Sequence, residues 1–212
     1  MFDFLKIVKT PKLAKKVFPK ALWKIRPIGK KIFLTFDDGP IPVVTPAVLA
    51  ILKEYNAKAT FFCIGKNIEE NPTIFQQVLA EGHSIGNHTS IHCNGWKTNN
   101  KAYFEAVEQC ANSIDARTTD HRFLFRPPYG KLTFAQYNTI AQKYTIVMWD
   151  VLSFDFDLSV DKETVLNNVL KHTRNGSIIV FHDSEKAKEK VLYALPKVLA
   201  HFTELGFTFE KI

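Results

Sequence analysis

Lys31-Ile32-Phe33-Leu34-Thr35-Phe36-Asp37-Asp38-Gly39-Pro40 is the stretch from which the rest of the chain is read. Lys31 to Thr35 is an apolar run bounded by charge on one side and Gly-Pro on the other, the pattern of a buried strand. Two adjacent carboxylates therefore stand where a strand stops and a loop begins. Like charges that close do not both stay ionised unless a cation or a strong donor holds them. An ordinary Asp-Gly turn would account for the motif taken alone. The remainder of the chain supplies cationic partners at matching places.

The 212 residues suit one domain with a sizeable core. At 46% hydrophobic and 23% charged, the composition is globular and argues against disorder. The net charge of +7 admits anionic partners, but the lysines are scattered and no stripe of arginine and aromatics supports nucleic-acid binding. Cys63, Cys93 and Cys110 have no paired spacing, so neither a disulfide framework nor a cysteine metal site is expected. Residues 1–30 read as a basic N-terminal arm, and residues 31–212 as one folded domain. Pro11 and repeated lysines break every apolar stretch of the arm, so no signal peptide is expected. No segment nears the roughly 18 apolar residues of a membrane span. Phe2, Leu5 and Val8 with Lys6 and Lys9 fit a short amphipathic surface helix, which allows membrane-surface contact. A cytoplasmic or membrane-associated location is the expectation; oligomeric state is not legible.

Further along, Thr45 and Pro46 read as the cap and first position of a helix reaching Tyr55. Lys58 to Ile64 reads as a strand, Asn71-Pro72 opens a second helix, and Gly82 to Asn87 is a short strand with a tight exit. A helix is expected over 98–117, a strand over 122–126, a helix over 133–143 and a strand over 144–151. Helix 161–172, strand 177–181, helix 185–202 and strand 206–210 complete the chain. This alternation specifies parallel strands with helical crossovers, about seven of them. A barrel and an open doubly wound sheet both fit the pattern. No Gly-x-Gly-x-x-Gly follows any strand, which weakens a dinucleotide-binding reading.

The polar residues fall at the ends of these strands. Asp37 and Asp38 end the first, His88 and His92 follow the third, Arg126 and Tyr129 end the fourth, Asp155 follows the fifth, and His182 and Asp183 end the sixth. In parallel α/β folds those ends share one rim, and the rim carries the chemistry. His88 and His92 are four apart, which on a helical turn aims both imidazoles one way. With one carboxylate they make a three-ligand metal site that leaves a position for water, as in hydrolytic zinc. His83 reads as structural, and His121, His172 and His201 as surface.

The ordered set Thr-Phe-Asp-Asp-Gly-Pro, Gly-His-Ser-Ile-Gly-Asn-His-Thr-Ser-Ile-His, Arg-Pro-Pro-Tyr-Gly, Trp-Asp-Val-Leu-Ser-Phe-Asp-Phe and Val-Phe-His-Asp resembles the polysaccharide deacetylase family. This is the NodB-like group, carbohydrate esterase family four, and the likeness spans about residues 31–212. The resemblance implies an irregular (β/α) barrel, often of seven strands, and hydrolysis of N-acetyl or sometimes O-acetyl groups on sugar polymers. It implies Asp37 as general base, and Asp38, His88 and His92 as ligands of a divalent metal, usually zinc. Arg126 would orient Asp37, the Tyr129 N–H would hold the oxyanion, and His182 would be the general acid tuned by Asp155. The chemistry agrees: amide hydrolysis needs an activated water, oxyanion stabilisation and a proton for nitrogen, with base and acid kept in different surroundings.

Four positions depart from the family's pattern, at the groove wall, in the loop after the second histidine and by one conservative change. Leu152 and Phe156 replace the Asp and Trp usual in the fourth motif, Cys93 replaces a Pro after the second histidine, and Val180 replaces a Leu. Removal of acetate from N-acetylglucosamine units is the expected activity. The alternatives are an O-acetyl esterase on a polymer such as xylan and a catalytically silent carbohydrate-binding protein; the latter would predict loss of Asp37 or His182, and both are present. Trp96, Trp149, Phe154 and Phe156 are candidates for sugar stacking or for core.

Overall fold

The computed structural model describes residues 7–118 and 123–212. In chain order the elements are α1 (Lys12–Val17), β1 (Lys31–Asp37), α2 (Val44–Glu54), β2 (Ala59–Cys63), α3 (Gly65–Glu70), α4 (Pro72–Ala80), β3 (Ser84–Asn87) and α5 (Asn100–Asp115). There follow β4 (Leu124–Phe125), α6 (Phe134–Ile140), β5 (Thr145–Ile146), β6 (Val151–Leu152), α7 (Lys162–His172), β7 (Ile178–His182), α8 (Lys188–Glu204) and β8 (Thr208–Phe209).

The strands are parallel, in the order β5-β4-β3-β2-β1-β7-β6, with β8 against β1. The two ends of that order, β5 and β6, are separated in sequence only by residues 147–150. One stretch of chain thus pairs with β4 through Thr145 and Ile146, and with β7 through Val151 and Leu152. The sheet curls round until its edges meet in that stretch, giving the irregular barrel and excluding an open doubly wound sheet. The single strand expected over 144–151 is therefore two short ones. Between them, Val147 and Met148 turn their carbonyls to the Arg126 side chain. β8 enters at the amino-terminal end, pairing with Lys31 and Ile32 while the Lys58 N–H bonds Phe209, below the point where β1 and β2 begin to pair.

Both faces of β1 are apolar because both are covered. Ile32, Leu34 and Phe36 pack outward with Val48 and Leu49 of α2 and Leu195, Val198 and Leu199 of α8. Phe33 packs inward with Phe62, Leu124, Val147 and Ile178. The two-residue period then carries Thr35 and Asp37 inward as well, so the first carboxylate arrives at the carboxyl end of the barrel lumen. A Cβ on Gly86 would lie 2.4 Å from the Phe62 ring, so only glycine leaves that ring room.

The arm from residue 7 onward packs on the barrel. Val8 accepts a bond from the Leu152 N–H, Lys9 bridges Val151, and Leu22 exchanges bonds with Ile146 and Met148. Val8 and Lys9 are extended along β6 rather than helical, whereas Phe2, Leu5 and Lys6 lie outside the described residues, as do His121 and Arg122. Among the described residues no helix is long and apolar enough to cross a membrane.

The expected cap of α2 is overturned. Thr45 does not cap α2, whose N-cap is Val43; its hydroxyl accepts from the Ile41 N–H and donates to Asp183 instead. The short helix α3 follows β2 directly and has no counterpart in the apolar periodicity, since only Gly65 and Ile68 of its residues are buried.

Candidate active site

Asp37 ends β1 pointing into the lumen, where the fully buried Arg126 guanidinium meets it. Nη1 of Arg126 donates to Asp37 Oδ1 at 2.7 Å and to Thr35 Oγ1 at 2.7 Å, while Nε and Nη2 donate to the Val147 and Met148 carbonyls. The guanidinium also lies 4.2 Å from the centre of the Phe62 ring. Burial alone would raise the Asp37 pKa. The Arg126 charge, then His88 and His182, overcome that and hold it below the ordinary carboxylate value. Asp37 is thus a buried, ionised carboxylate.

Asp38 turns the other way because its backbone is left-handed, φ 87°. The Asn67 side chain donates to its carbonyl at 2.6 Å. Its Oδ1 lies 3.3 Å from His92 Nε2 and 3.7 Å from His88 Nε2. His88 Nδ1 is 2.7 Å from the Arg126 carbonyl, which can only accept, so Nδ1 carries the proton and the Nε2 lone pair faces Asp38. Burial lowers the pKa of His88, and burial followed by repulsion from His88 lowers that of His92 to about 4. Both imidazoles are then neutral near pH 7, the state that ligates metal.

The His88–His92 segment is not a helical turn, as expected from the spacing. Left-handed residues Thr89 (φ 62°) and His92 (φ 57°) bend it instead. Its main chain is pinned by the Gly65 and Lys66 N–H groups of α3, which donate to the Thr89 and Ser90 carbonyls, and by the Cys93 N–H, which donates to Thr89 Oγ1. Such conformations cost about 1–3 kcal/mol each and persist where the surroundings impose them. Tyr129 (φ 60°) and Phe154 (φ 65°) are two more on the same rim.

The set fits a divalent cation. Potential ligand atoms of Asp38, His88 and His92 lie within 4.8 Å of one another. Asp38 Oδ1 is buried and has no hydrogen-bond partner among the described residues. One carboxylate oxygen and two neutral imidazoles are the mixed donors that a hydrolytic metal takes.

Across the cleft, His182 Nδ1 lies 2.8 Å from Asp155 Oδ1, and the His182 N–H donates to Asp155 Oδ2 at 2.7 Å. Burial works against the imidazolium, but the fully buried Asp155 outweighs it and raises the His182 pKa to about 9. The Phe156 ring stands 4.8 Å from that imidazole. Asp37, Asp38, His88, His92, Tyr129 and His182 all line one open cleft of about 570 Å³, with Trp149, Leu152 and Phe156 on its walls. Arg126 and Asp155 stand behind it, so the candidate base, acid, ligands and their partners come to this one place; of the four stacking candidates Trp149 and Phe156 line the cleft, whereas Phe154 packs against the core and Trp96 is not among the lining residues. Among the other histidines, His83 is buried and accepts the Ala59 N–H, and His201 is exposed.

Asp183 follows His182 just past the end of β7. It is fully buried, accepts the Gly39 N–H at 3.0 Å and the Thr45 hydroxyl at 2.6 Å, and burial pushes its pKa up to about 8. Its own N–H donates to the Asp37 carbonyl. A Cβ on Gly39 would fall 1.9 Å from Asp183 Oδ2, which explains the glycine after the two aspartates. The signal was present in the sequence as an acid beside the catalytic-type histidine, but its partners Thr45 and Gly39 are remote in the chain.

The polysaccharide deacetylase family matches residues 24–149. A peptidoglycan-N-acetylglucosamine deacetylase of Bacillus cereus is 33% identical over 189 residues, 88% of each chain. A chitooligosaccharide deacetylase of Azorhizobium caulinodans is 36% identical over 167 residues, 76% of this chain and 78% of that one. The crystal structure of a peptidoglycan N-acetylglucosamine deacetylase superposes with a TM-score of 0.86 at 32% identity, covering 96% of this chain and 95% of that one. With motifs, barrel and cleft in agreement, the chain belongs to the polysaccharide deacetylase family.

Proposed function

We propose that this chain is a metal-dependent hydrolase that removes N-acetyl groups from N-acetylglucosamine-containing poly- or oligosaccharides of the peptidoglycan or chitin kind. The observation that carries the reading is the pairing of two oppositely tuned groups across one cleft: Asp37 held ionised by Arg126, and His182 held protonated by Asp155. Similarity to N-deacetylases of peptidoglycan and chitooligosaccharides supports the substrate class. Residues 31–212 form the catalytic domain in this reading, with residues 1–30 as its arm.

Asp38, His88 and His92 would hold the divalent metal, zinc by the nature of the donors. When bound, such a cation lowers the pKa of a coordinated water and polarises the amide carbonyl. Asp37 takes the proton from the attacking water as the new C–O bond forms. Arg126 fixes the orientation of that carboxylate and keeps it charged. The main-chain N–H of Tyr129 donates to the developing oxyanion. His182 delivers its proton to the departing nitrogen as the C–N bond breaks, giving free amine and acetate. Asp155 holds the imidazole by Nδ1, so Nε2 is the nitrogen that delivers it.

The test is acetate release from a chitin oligosaccharide by metal-stripped protein, with and without added zinc. Zinc-dependent release is the expected result. Release only from O-acetylated xylan would replace the reading with an O-acetyl esterase. Zinc binding without release from either polymer would leave carbohydrate binding as the function.

A further inference from the structure

We propose that Tyr129, Lys131 and Trp96 form a subsite for a carboxylate-bearing sugar that neighbours the acetylated residue in the same polymer; this rests on the deacetylase reading above. The strip starts at the metal triad, where the Tyr129 ring lies 4.6 Å from that of His92. Lys131 Nζ sits 6.0 Å from the centre of the Tyr129 ring and 5.1 Å from that of Trp96. Tyr129 and Trp96 are 58% and 65% exposed, a large apolar surface to leave in water beside the cleft.

The strip is built rather than loose. Trp96 Nε1 donates to the Leu132 carbonyl at 3.0 Å, and its main-chain N–H donates to Asn94 Oδ1. The buried Gln136 side chain donates to the Gly95 and Thr98 carbonyls and closes the capping box of α6 with Thr133. A Cβ on Gly95 would lie 2.3 Å from the Lys131 carbonyl, so the two loops touch at backbone level. An exposed indole locked by its N–H presents a flat apolar face of the kind on which a pyranose ring lies.

Charge selects the occupant. Among the described residues Lys131 has no carboxylate within ion-pair distance, and its ammonium is held against the Tyr129 and Trp96 rings. An ammonium lodged between two stacking faces is complementary to an acidic sugar, not to a neutral one. A uniform chain of N-acetylglucosamine would leave it without a partner. A chain that alternates N-acetylglucosamine with a lactyl-ether or uronic sugar would not.

The experiment uses an oligosaccharide alternating N-acetylglucosamine with its 3-O-lactyl counterpart, once as the free acid and once as the methyl ester. The readout is the ratio of kcat/KM on acid to that on ester. Wild type is expected to favour the acid about fivefold, the scale of one exposed charge pair, and Lys131→Gln to bring the ratio to about one. Trp96→Ala should lower kcat/KM on both forms together by about fivefold through lost stacking, leaving the ratio intact. A wild-type ratio near one, or a Lys131→Gln ratio equal to wild type, overturns the subsite. If no form releases acetate, the deacetylase reading fails, and tryptophan fluorescence titration with acid and ester tests the subsite separately. Tighter binding of the acid that Lys131→Gln removes would support it, and equal binding would overturn it.

Discussion

Asp37 and His182 carry opposite charges into the same cleft, and the pH behaviour follows from what holds each. Asp37 must be ionised to act as base and His182 protonated to act as acid, so activity falls at both extremes of pH. The alkaline limb belongs to His182, whose pKa Asp155 raises to about 9. Asp155→Asn removes the charge that stabilises the imidazolium, so the alkaline limb of kcat/KM should move down by about 1–3 pH units. The acid limb should stay where it is. Asp37→Asn should lower kcat by about 10²–10⁴, the usual contribution of a positioned base. It also leaves the buried Arg126 charge uncompensated, at about 3–5 kcal/mol in urea unfolding. The sign for the native pair is that of a depressed acid: its stabilisation is full above the unfolded carboxylate pKa and is lost as pH falls through the lower folded value. These positions were legible in the sequence because strand ends of a parallel fold share a rim, so order along the chain translated into proximity. The way His88 and His92 converge was not. A spacing of four is equally consistent with a helical turn and with two left-handed bends, and the bonds that choose between them come from α3 and the neighbouring loop.

Among the elements, β1 and β7 are tied at their carboxyl ends by Asp183, which stands next to the candidate acid and grips the loop of the candidate base and ligand. Asp183→Ala leaves the Gly39 N–H and the Thr45 hydroxyl without their buried acceptor, at about 1–3 kcal/mol for each. It should also free Asp37 and Asp38 to move. The expected outcome is a lower urea midpoint together with weaker zinc binding in a chelator competition. Asp183→Asn, which keeps one acceptor oxygen for the Gly39 N–H and turns an NH2 to the Thr45 hydroxyl oxygen, should recover part of both. A lowered midpoint with unchanged zinc affinity would limit Asp183 to a structural part. Helix positions were readable, as over 98–117 and 133–143, which contain α5 and α6, because the signals for a helix are local. Thr45 misled for the same reason: threonine before proline is a sound cap signal, but a buried carboxylate 138 residues away in sequence claimed the hydroxyl.

The molecule as a whole closes through the stretch of residues 145–152, and the arm is part of that closure. β5 and β6 pair with different strands, so the backbone between them lacks a continuous neighbour on one side. Leu22 bonds Ile146 and Met148, Thr10 bonds Asp150, and Val8 bonds Leu152, which supplies that neighbour. Asp150, which is 1% exposed, receives Lys9 at 2.6 Å, Lys15 at 3.1 Å and the Ser177 hydroxyl at 2.7 Å. Burial would raise its pKa, and these bonds lower it instead. Deletion of residues 1–25 removes both lysines and strips Trp23 from the core beside Tyr137 and Ile146. The truncated chain should therefore unfold at lower urea than the full chain, whatever becomes of its catalysis. A double-mutant cycle identifies the cause. Where the lysines are present, Asp150→Asn weakens the ion pairs and should cost stability. Where the arm is gone, the carboxylate keeps only the Ser177 hydroxyl among these side-chain partners, so the same substitution breaks no ion pair and should cost less. The expected coupling is about 0.5–3 kcal/mol. A coupling near zero would mean that the arm lies on the barrel without fastening it. The measured sign thus decides whether the basic segment before β1 is an appendage or the last stave of the ring.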